Sequence, residues 1–573
     1  MASISSISKA VSGLVAAQKG LQVTGHNISN TNTKGYTRQQ LLQSDSPYVT
    51  VGSNGGYALK LGLGVTCDEI RQIRNDMADR RLRTENSVLH YYQKLNSATS
   101  DIESMFDEPY GSTISEFLSD FWSQAQKLST TPDGVEERMS FISTAKVLMS
   151  KINVVTESLK TYQTKLNSDV KTTVNRINEI LDGIKETNEK ISLAEAGGEN
   201  ANDYRDQRNL LLDELSQYGS VTYTEEADRR VLVKFEGHIV VNKQLVTKLE
   251  LEQTRPGSPF DKPIWSDTKS DVYDMNEISS SSKGNDSGSL KALLLARGED
   301  IITSETSWDD VALNNQFSVD VEGNAYLVPK VQKLLNQFTN KLAEIVNGSF
   351  TGTGIGEHTG KDGVPVFIAT NVPEDLKAFH EKFKAGKTTY INSPNPPNVN
   401  DPGYADYLKE LEDFEKYKKI LIGGNVEVNP ELLENGGYNK LGTVKKDPNG
   451  ADNSTNTGDN SIVKEFLAAF GETQKWNDKN ANPSSAPYEK YSNMKDFFSE
   501  LVTGIGSQGN LYINKASEKN TSVMNIENER QAMGGVSTDE EFSYMLKYQY
   551  AYNASARMIT MLDGMIDTII NKM

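Results

Sequence analysis

The C-terminal stretch from Asp539 to Met573 is DEEFSYMLKYQYAYNASARMITMLDGMIDTIINKM, with no proline and a single glycine, Gly564. One set of its positions recurs at alternating spacings of three and four, the heptad pattern of a helix that packs along another helix. The seam comprises Phe542, Met545, Gln549, Tyr552, Ala556, Ile559, Asp563, Ile566, Ile570 and Met573, flanked by Leu546, Leu562 and Ile569. Such a helix would extend for about 50 Å at ~1.5 Å per residue. Ser537 is predicted to cap its first turn, with Glu540 reaching back three residues later.

A second amphipathic helix is predicted at the N-terminus. The same rhythm of three and four runs through Ile4, Ile7, Val11, Leu14, Gln18, Leu21, Gly25 and Ile28. One such helix alone is ordinary core material, but chain ends are usually the least ordered part of a domain. Apolar stripes at both ends therefore favour an assembly role, in which the helices pack against each other or against neighbouring chains.

The composition argues against several classes of partner. The chain has 573 residues, enough for several domains, and a formal net charge of −18. Nucleic acids and anionic membrane surfaces both require clustered lysine and arginine, so neither is an expected partner. No apolar run approaches the ~20 residues of a membrane span, and no cleavable secretory signal is visible. Cys67 is the only cysteine, and we interpret it as a small structural side chain.

An asparagine-rich turn follows the N-terminal helix. The stretch from Gly25 to Gln39 is GHNISNTNTKGYTRQ. Asparagine and glycine tolerate left-handed backbone, so we expect this segment to end the helix and redirect the chain. The glycine-rich stretch from Tyr48 to Val65 is typical of short strands and turns.

The middle of the chain is predicted to be helical first and then mixed. From Asp79 to Tyr218 helices dominate, and one stripe continues for about fifty residues, which indicates a long bundled helix. The stripe comprises Phe141, Ala145, Leu148, Ile152, Val155, Leu159, Tyr162, Leu166, Val170, Val174, Ile177, Leu181, Ile184 and Ile191. Alternating residues from Val221 to Glu252 predict strands, and residues 255–287 predict a loop.

Later segments are predicted from composition and local breaks. Short helices are expected at 288–297, 329–346 and 406–419. Residues 371–460, rich in proline and asparagine, are interpreted as a surface insertion. The run Gly504-Ile505-Gly506 is expected to lead into the final helices.

No motif for catalysis or metal binding stands out. The histidines are dispersed, and the run from His380 to Lys384 starts like a zinc-protease motif but ends in lysine, so two imidazoles cannot share one face. The glycine-rich run from Gly352 to Gly356 follows a predicted helix rather than a strand, which argues against a dinucleotide loop. We expect no cofactor and no enzyme activity.

The asparagine-rich turn carries a family resemblance. The pattern Asn27-x-x-Asn30-x-x-Thr33-x-Gly35-Tyr36 resembles the N-terminal signature of the flagellar rod, hook and hook-associated family, and Thr37-Arg38-Gln39 resembles its hook–filament junction branch. Two further blocks are similar to that branch, at 61–77 and at 202–215, NDYRDQRNLLLDEL. Taken alone, the second block predicts a leucine-striped helix whose charges pair at the surface.

The resemblance implies a structural, self-assembling protein of the bacterial flagellum, exported by the flagellar type III apparatus. The implied partners are other copies in a helical layer, the hook protein, the next hook-associated protein, and an export chaperone at the C-terminal region. The predicted N-terminal assembly residues are Ile4, Ile7, Val11, Leu14, Leu21, Asn27, Ile28, Asn30, Thr33, Gly35 and Tyr36. The predicted C-terminal assembly residues are Phe542, Met545, Leu546, Tyr552, Ile559, Leu562, Ile566, Ile569 and Ile570.

The predicted fold is α+β and multidomain, with a long helical bundle or coiled-coil core and β-rich outer domains inserted in the middle. A terminal helical domain is expected from 1–55 with 516–573, and a helical core from 56–218 with 288–349 and 461–515. A β-rich outer domain is expected at 219–287, and a second outer domain or insertion at 350–460.

Three other interpretations stay open at this point. The chain could be another rod or hook component, a secreted adhesin or enzyme that uses flagellar-type ends for export, or an unrelated coiled-coil scaffold. The junction-type blocks argue against the first, and the asparagine-rich turn argues against the last.

Overall fold

A computed structural model describes residues 2–54, 57–106, 113–198, 200–275, 285–306, 326–356, 363–388, 397–445, 458–477 and 489–572. At some positions within helices and strands it describes the backbone but not the side chain. The predicted assembly residues Ile4 and Ile569 are such positions, so their side chains lie outside the described part of the protein.

Long helices dominate the described chain. The helices are α1 (Ala2–Ser29), α2 (Asp76–Phe106), α3 (Ile114–Thr130), α4 (Val135–Glu195), α5 (Asn202–Tyr218), α6 (Gly288–Arg297), α7 (Leu327–Asn347), α8 (Lys377–Lys384), α9 (Tyr404–Ile420), α10 (Pro430–Leu433), α11 (Ser461–Gly471), α12 (Met494–Gly534) and α13 (Thr538–Lys572). Among the described residues, no helix has an apolar run long enough to cross a bilayer.

The strands form small antiparallel sheets. They are β1 (Gln39–Asp45), β2 (Tyr48–Asn54), β3 (Tyr57–Gly62), β4 (Val65–Gln72), β5 (Val221–Glu225), β6 (Val231–Phe235), β7 (His238–Asn242), β8 (Leu245–Val246), β9 (Leu249–Gln253), β10 (Asp261–Trp265), β11 (Gly354–Gly356), β12 (Phe367–Ala369), β13 (Val426–Val428), β14 (Gly442–Lys445), β15 (Gln474–Asn477) and β16 (Glu489–Ser492). Strands β5 to β8 form one four-stranded sheet in chain order. Strand β1 pairs with β4 and β2 with β3, and the β1–β4 pair lies against α1.

The 61-residue helix α4 is the axis of the main core. Every residue of the predicted long stripe is buried on it, so that prediction is confirmed. Gly134 precedes the helix, and Gly198 follows it with φ +88°, a backbone conformation that favours glycine. Apolar residues of the four-stranded sheet, including Val233 and Phe235, join the same buried cluster as α4.

The predicted fold class is confirmed: a helical core accompanies smaller β-containing parts. The predicted division into domains stays a prediction. Its boundary between residues 515 and 516 falls inside the continuous helix α12.

Two local expectations are wrong. Strand β10 lies within the predicted loop 255–287, where Ile264 and Trp265 are buried despite Pro263 beside them. Gly504 and Gly506 lie inside α12 rather than before it. A Cβ on Gly509, one turn further, would lie 3.2 Å from Cγ2 of Thr99 on α2. Close packing between these two helices therefore outweighs the low helix propensity of glycine.

Replacing Gly509 by leucine should destabilise the α2–α12 pair by about 1–3 kcal/mol, because a larger side chain overpacks the contact with Thr99. Gly504→Leu is the matched control in the same helix, since a Cβ there meets no atom within 4 Å. That variant should be neutral or stabilising by up to ~1 kcal/mol. Thermal unfolding followed by circular dichroism compares the two, and equal shifts of the midpoint would contradict this account.

Candidate assembly site at the paired termini

Helices α1 and α13 lie antiparallel, with contacts seven residues apart on each helix. The contacting pairs are Asn27 with Glu541, Gly20 with Tyr548, and Gly13 with Ser555. A Cβ on Gly20 would lie 2.6 Å from the Tyr548 ring, so the backbone of α1 approaches α13 closely. Steps of one heptad in opposite directions are the register of an antiparallel coiled coil.

The buried face of α1 consists mostly of small residues. It comprises Ala10, Ala16, Ala17, Gly20, Val23, Thr24 and Asn27. Among the predicted large residues, Val11 is 42% exposed. The others with described side chains are only half-buried: Ile7, Leu14, Leu21 and Ile28. These bulky residues were predicted to pack against the other terminus or against neighbouring chains. The closest contacts with α13 lie at small residues of α1, because close backbone approach admits small side chains and leaves large ones at the flanks. Their role in assembly stays a prediction.

Helix α13 is apolar on more than one face. Met545, Ile559, Leu562 and Ile566 are half-buried, on the side that also carries Tyr548 and Ser555. Among the predicted residues, Phe542 and Leu546 are each 52% exposed and Ile570 is 71% exposed, and Tyr552 is exposed as well. Further exposed residues that the prediction did not include are Tyr544, Tyr550, Met558, Met561 and Met565.

Asn27 joins the three segments that meet at the start of the turn. Its Nδ2 donates to the carbonyl of Gln39 over 2.9 Å and to Oε2 of Glu541 over 3.1 Å. Its Oδ1 accepts from the Tyr36 hydroxyl over 2.7 Å and from the Gln39 amide over 3.0 Å. This buried side-chain amide uses all four of its hydrogen-bonding positions. It therefore fixes α1, the turn and α13 together.

Hydrogen bonds also connect other residues of the predicted turn motif. Nδ2 of Asn30 donates to the His26 carbonyl over 3.0 Å, and the Thr33 hydroxyl donates to Oδ1 of Asn30 over 3.1 Å. Gly35 has φ +83°, as expected from its sequence position, and a Cβ there would lie 3.4 Å from Leu210. The asparagine-rich segment is thus a shaped turn that rests on α5.

Arg38 links the turn to the first turn of α13. Its Nε donates to Oε1 of Glu541 over 2.7 Å, and its Nη1 lies 3.1 Å from Oε2 of Glu540. Glu540 thus pairs with Arg38, whereas the sequence predicted that it would reach back to Ser537. The Arg38 guanidinium also lies 5.5 Å from the Tyr544 ring centroid. Acidic residues at a helix N-terminus were visible in the sequence, but their cationic partner 500 residues away was not.

The charged block in α5 is not a surface helix face. Asp206 and Arg208 are buried. Oδ2 of Asp206 accepts from the Thr37 amide over 3.1 Å, and Arg208 donates to Oδ1 of Asn188 on α4 over 3.1 Å. Burial raises the pKa of Asp206 to about 6, although the Thr37 amide and Arg74 lower it. The prediction that this block pairs only at the surface is wrong. Asp206 faces the turn and Arg208 faces α4, so both charged side chains lie in interfaces with other segments.

The described residues offer little for catalysis. No group of three histidine, cysteine or acidic side chains in the described ranges could hold a metal ion. Cys67, on β4, is partly buried and free. What the geometry at the termini provides is a close helix pair, a polar turn and an uncovered apolar helix.

Comparisons with known proteins agree with this arrangement. Residues 99–367 match the family model "Flagellar hook-associated protein FlgK helical domain", and residues 531–572 match "Flagellar basal body rod FlgEFG protein C-terminal". Flagellar hook-associated protein 1 of Bacillus subtilis is 23% identical over 98% of this chain and 96% of its own length. Its Escherichia coli counterpart is 22% identical over 99% of both chains.

The chain is similar to flagellar hook-associated proteins over nearly its full length. A solved structure of the flagellar hook junction protein FlgK from Burkholderia pseudomallei has the same fold, with a TM-score of 0.52 and 12% identity. The similarity covers 80% of this chain and all of that one.

The two family matches fall on different parts of the hook-associated fold. The helical-domain match runs from α2 through α4 and the four-stranded sheet to β12. The C-terminal match covers the last residues of α12 and all of α13. The middle match therefore separates this chain from rod proteins, whose C-terminal match it shares.

Raising the pH should destabilise the chain through Asp206. Its folded pKa of about 6 lies above the ordinary 3.8 because of burial, so the folded state holds the proton more tightly than the unfolded state. This contribution is complete below the unfolded pKa and is lost as pH rises through the folded pKa. Asp206→Asn, which stays neutral, should therefore gain up to about 3 kcal/mol over the unaltered chain between about pH 4 and pH 7.

Thermal unfolding of both proteins across that pH range measures the effect. Asp203→Asn is the matched control, since the Asp203 side chain is exposed on the same helix. A stability difference between Asp206→Asn and the unaltered chain that does not vary with pH would contradict the assignment.

Proposed function

We propose that this chain is a structural component of the bacterial flagellum that joins hook to filament. It is secreted and acts by assembly rather than by catalysis. The named relatives are hook-associated proteins over almost the full length of this chain, and the solved structure with the same fold is a hook junction protein.

The exposed apolar surface of α13 carries the assembly proposal. A contiguous apolar patch on the surface of a soluble chain marks an interaction site. In the single chain α1 packs along one side of α13, and the exposed side includes Phe542, Leu546, Tyr550, Met561 and Met565. Burial of each such side chain against neighbouring copies would contribute up to about 1.5–3 kcal/mol.

The partners follow from this surface and from the family. Other copies of this chain would cover α13 in a closed or helical layer, with the hook protein on one side and the next hook-associated protein on the other. Before assembly, a chaperone of the flagellar type III export apparatus would cover the same C-terminal region. The uncovered apolar residues of α13 support this need for a partner at each stage.

Deletion of the gene should leave cells with hooks but no filaments, because the filament then has no junction on which to grow. Electron microscopy of the deletion strain detects bare hooks, and immunoblots of the medium detect released flagellin. Expression of the unaltered chain should restore filaments. Normal filaments in the deletion strain would rule out the junction role.

Apolar-to-aspartate changes on α13 should block incorporation at the hook tip. Met561→Asp with Met565→Asp alters only exposed residues, so the secreted chain should keep its helix content while assembly is lost. Ile559→Asp with Ile566→Asp alters half-buried residues and should also weaken the α1–α13 pair.

Leu408→Asp supplies the control for these changes, because Leu408 is an exposed apolar residue on α9, outside the terminal helices. Complementation of the deletion strain, scored by immunogold labelling of hook tips, compares the variants. Hook tips labelled normally by the Met561/Met565 variant would remove the assembly role of the exposed face.

A further inference from the structure

Charged side chains from four segments converge where the terminal helices meet the helical core. The members are Arg74 before α2, Asp79 and Arg83 on α2, Asp206 and Asp213 on α5, and Arg530 on α12. Asp79 and Arg83 are buried, and the other side chains are at most about a quarter exposed. The positive and negative charges balance, which allows so many ionised groups to share one partly buried site.

Arg530 bridges the two acidic arms of this network. Its Nε lies 2.9 Å from Oδ1 of Asp79, and its Nη2 donates to Oδ2 of Asp213 over 3.1 Å. Asp213 in turn accepts from Nε of Arg83 over 2.7 Å. The planar guanidinium thus holds α2 and α5 at once, an arrangement that a lysine ammonium cannot reproduce in full.

The opposite end of the network reaches the turn. Arg74 pairs with Asp79, lies 3.7 Å from Asp206, and donates from Nη1 to the Thr37 hydroxyl over 3.3 Å. The Asp206 carboxylate also accepts from the Thr37 amide. The turn is therefore held by the same charges that hold Arg530.

The last turn of α12 is hydrogen-bonded to the asparagine-rich turn and, through it, to the segment before α2. The Gly534 carbonyl, four residues after Arg530, accepts from the Arg38 amide over 2.9 Å, and the Arg38 carbonyl accepts from the Ile73 amide over 2.9 Å. A Cβ on Gly534 would lie 2.6 Å from the Ile73 carbonyl oxygen, so this end of α12 packs closely against the segment before α2. The position of Arg530 is therefore linked to the start of α13, because Arg38 contacts both Gly534 and Glu541.

We propose that Arg530 is the positioning residue that sets the direction of the α1–α13 pair relative to the helical core. Through Asp79 and Asp213 it anchors the end of α12, and through that end it anchors the turn and α13. The consequence for assembly rests on the proposed function, since a misdirected helix pair could not enter a layer of identical copies.

Hydrogen exchange of the full-length secreted chain, read by mass spectrometry, tests the proposal. In Arg530→Gln, exchange at the amides of Thr37, Arg38 and Ile73 should rise by about 100-fold, because a buried ion network loses the member that joins two carboxylates. The core of α4 should stay protected. Arg530→Lys should give an intermediate increase, since the charge remains and the fork is lost.

Arg81→Gln is the matched control. Arg81 pairs with Glu529 over 3.5 Å between the same two helices, with side chains 58% and 47% exposed. This variant should leave the three amides unchanged, because exposed pairs contribute little. Equal exchange in Arg530→Gln, Arg81→Gln and the unaltered chain would overturn the proposal, as would loss of protection throughout α4.

Incorporation at hook tips separates this inference from the proposed function. Increased exchange at the three amides together with lost incorporation supports both. Increased exchange with normal incorporation would overturn the positioning role in assembly and leave the junction function intact. A chain that never localises to hooks, even unaltered, would instead remove the proposed function while the exchange result still stands.

Discussion

Helices α1 and α13 can approach closely because Gly13 and Gly20 present no side chain to the partner helix. This constraint determines what the rest of the terminal surface looks like. Small residues of α1 occupy the contact with Tyr548 and the half-buried side of α13, so the large residues of α1 lie at the flanks, and a second set of large residues on α13 faces away. A pair that used its large residues internally would have little apolar surface left for neighbours. Here small residues of α1 form the close contact, and the exposed apolar surface of α13 is available for other copies.

An apolar heptad contact does not by itself fix a register, because a slip of one heptad restores a similar pattern. The polar groups at the turn remove that ambiguity. Asn27 satisfies its amide only with Gln39, Tyr36 and Glu541 in their present places, and Arg38 pairs with the acidic start of α13. Any slip would leave these buried groups without partners, which costs more than the slip could regain. The polar contacts at the turn therefore set the register in which the apolar residues of α1 and α13 pack.

Sequence reasoning was strongest where one period dominates a long segment. The stripe along α4 specified both the helix and its buried face, because a helix of that length has a single core-facing side. It failed where glycine has two meanings: Gly504 and Gly506 were interpreted as breakers, yet they lie in a helix stabilised by packing against α2. The close contact on α1 was missed for a related reason, since bulky residues dominate any pattern search while small residues line that contact.

The network around the turn could not be predicted from the sequence. Arg38 and Glu541 are 503 positions apart, and Thr37 and Asp206 are 169 apart, so no local spacing connects them. The motif residues Asn27, Asn30, Thr33, Gly35 and Tyr36 were identified through family resemblance, and their hydrogen bonds give the physical reason for the motif. The acidic and basic residues of α5 offered no signal that distinguished buried pairs from surface pairs.

The length of α4 has a mechanical consequence. A 61-residue helix is about 90 Å long at ~1.5 Å per residue. One end of it is tied to α5, where Arg208 bonds Asn188, close to the residues that hold the turn. If the axis of a helix of that length tilts by about one degree at this end, the opposite end of the helix moves by about 1.6 Å. The contacts that hold this end of α4 therefore influence where the distant end of the same subunit lies.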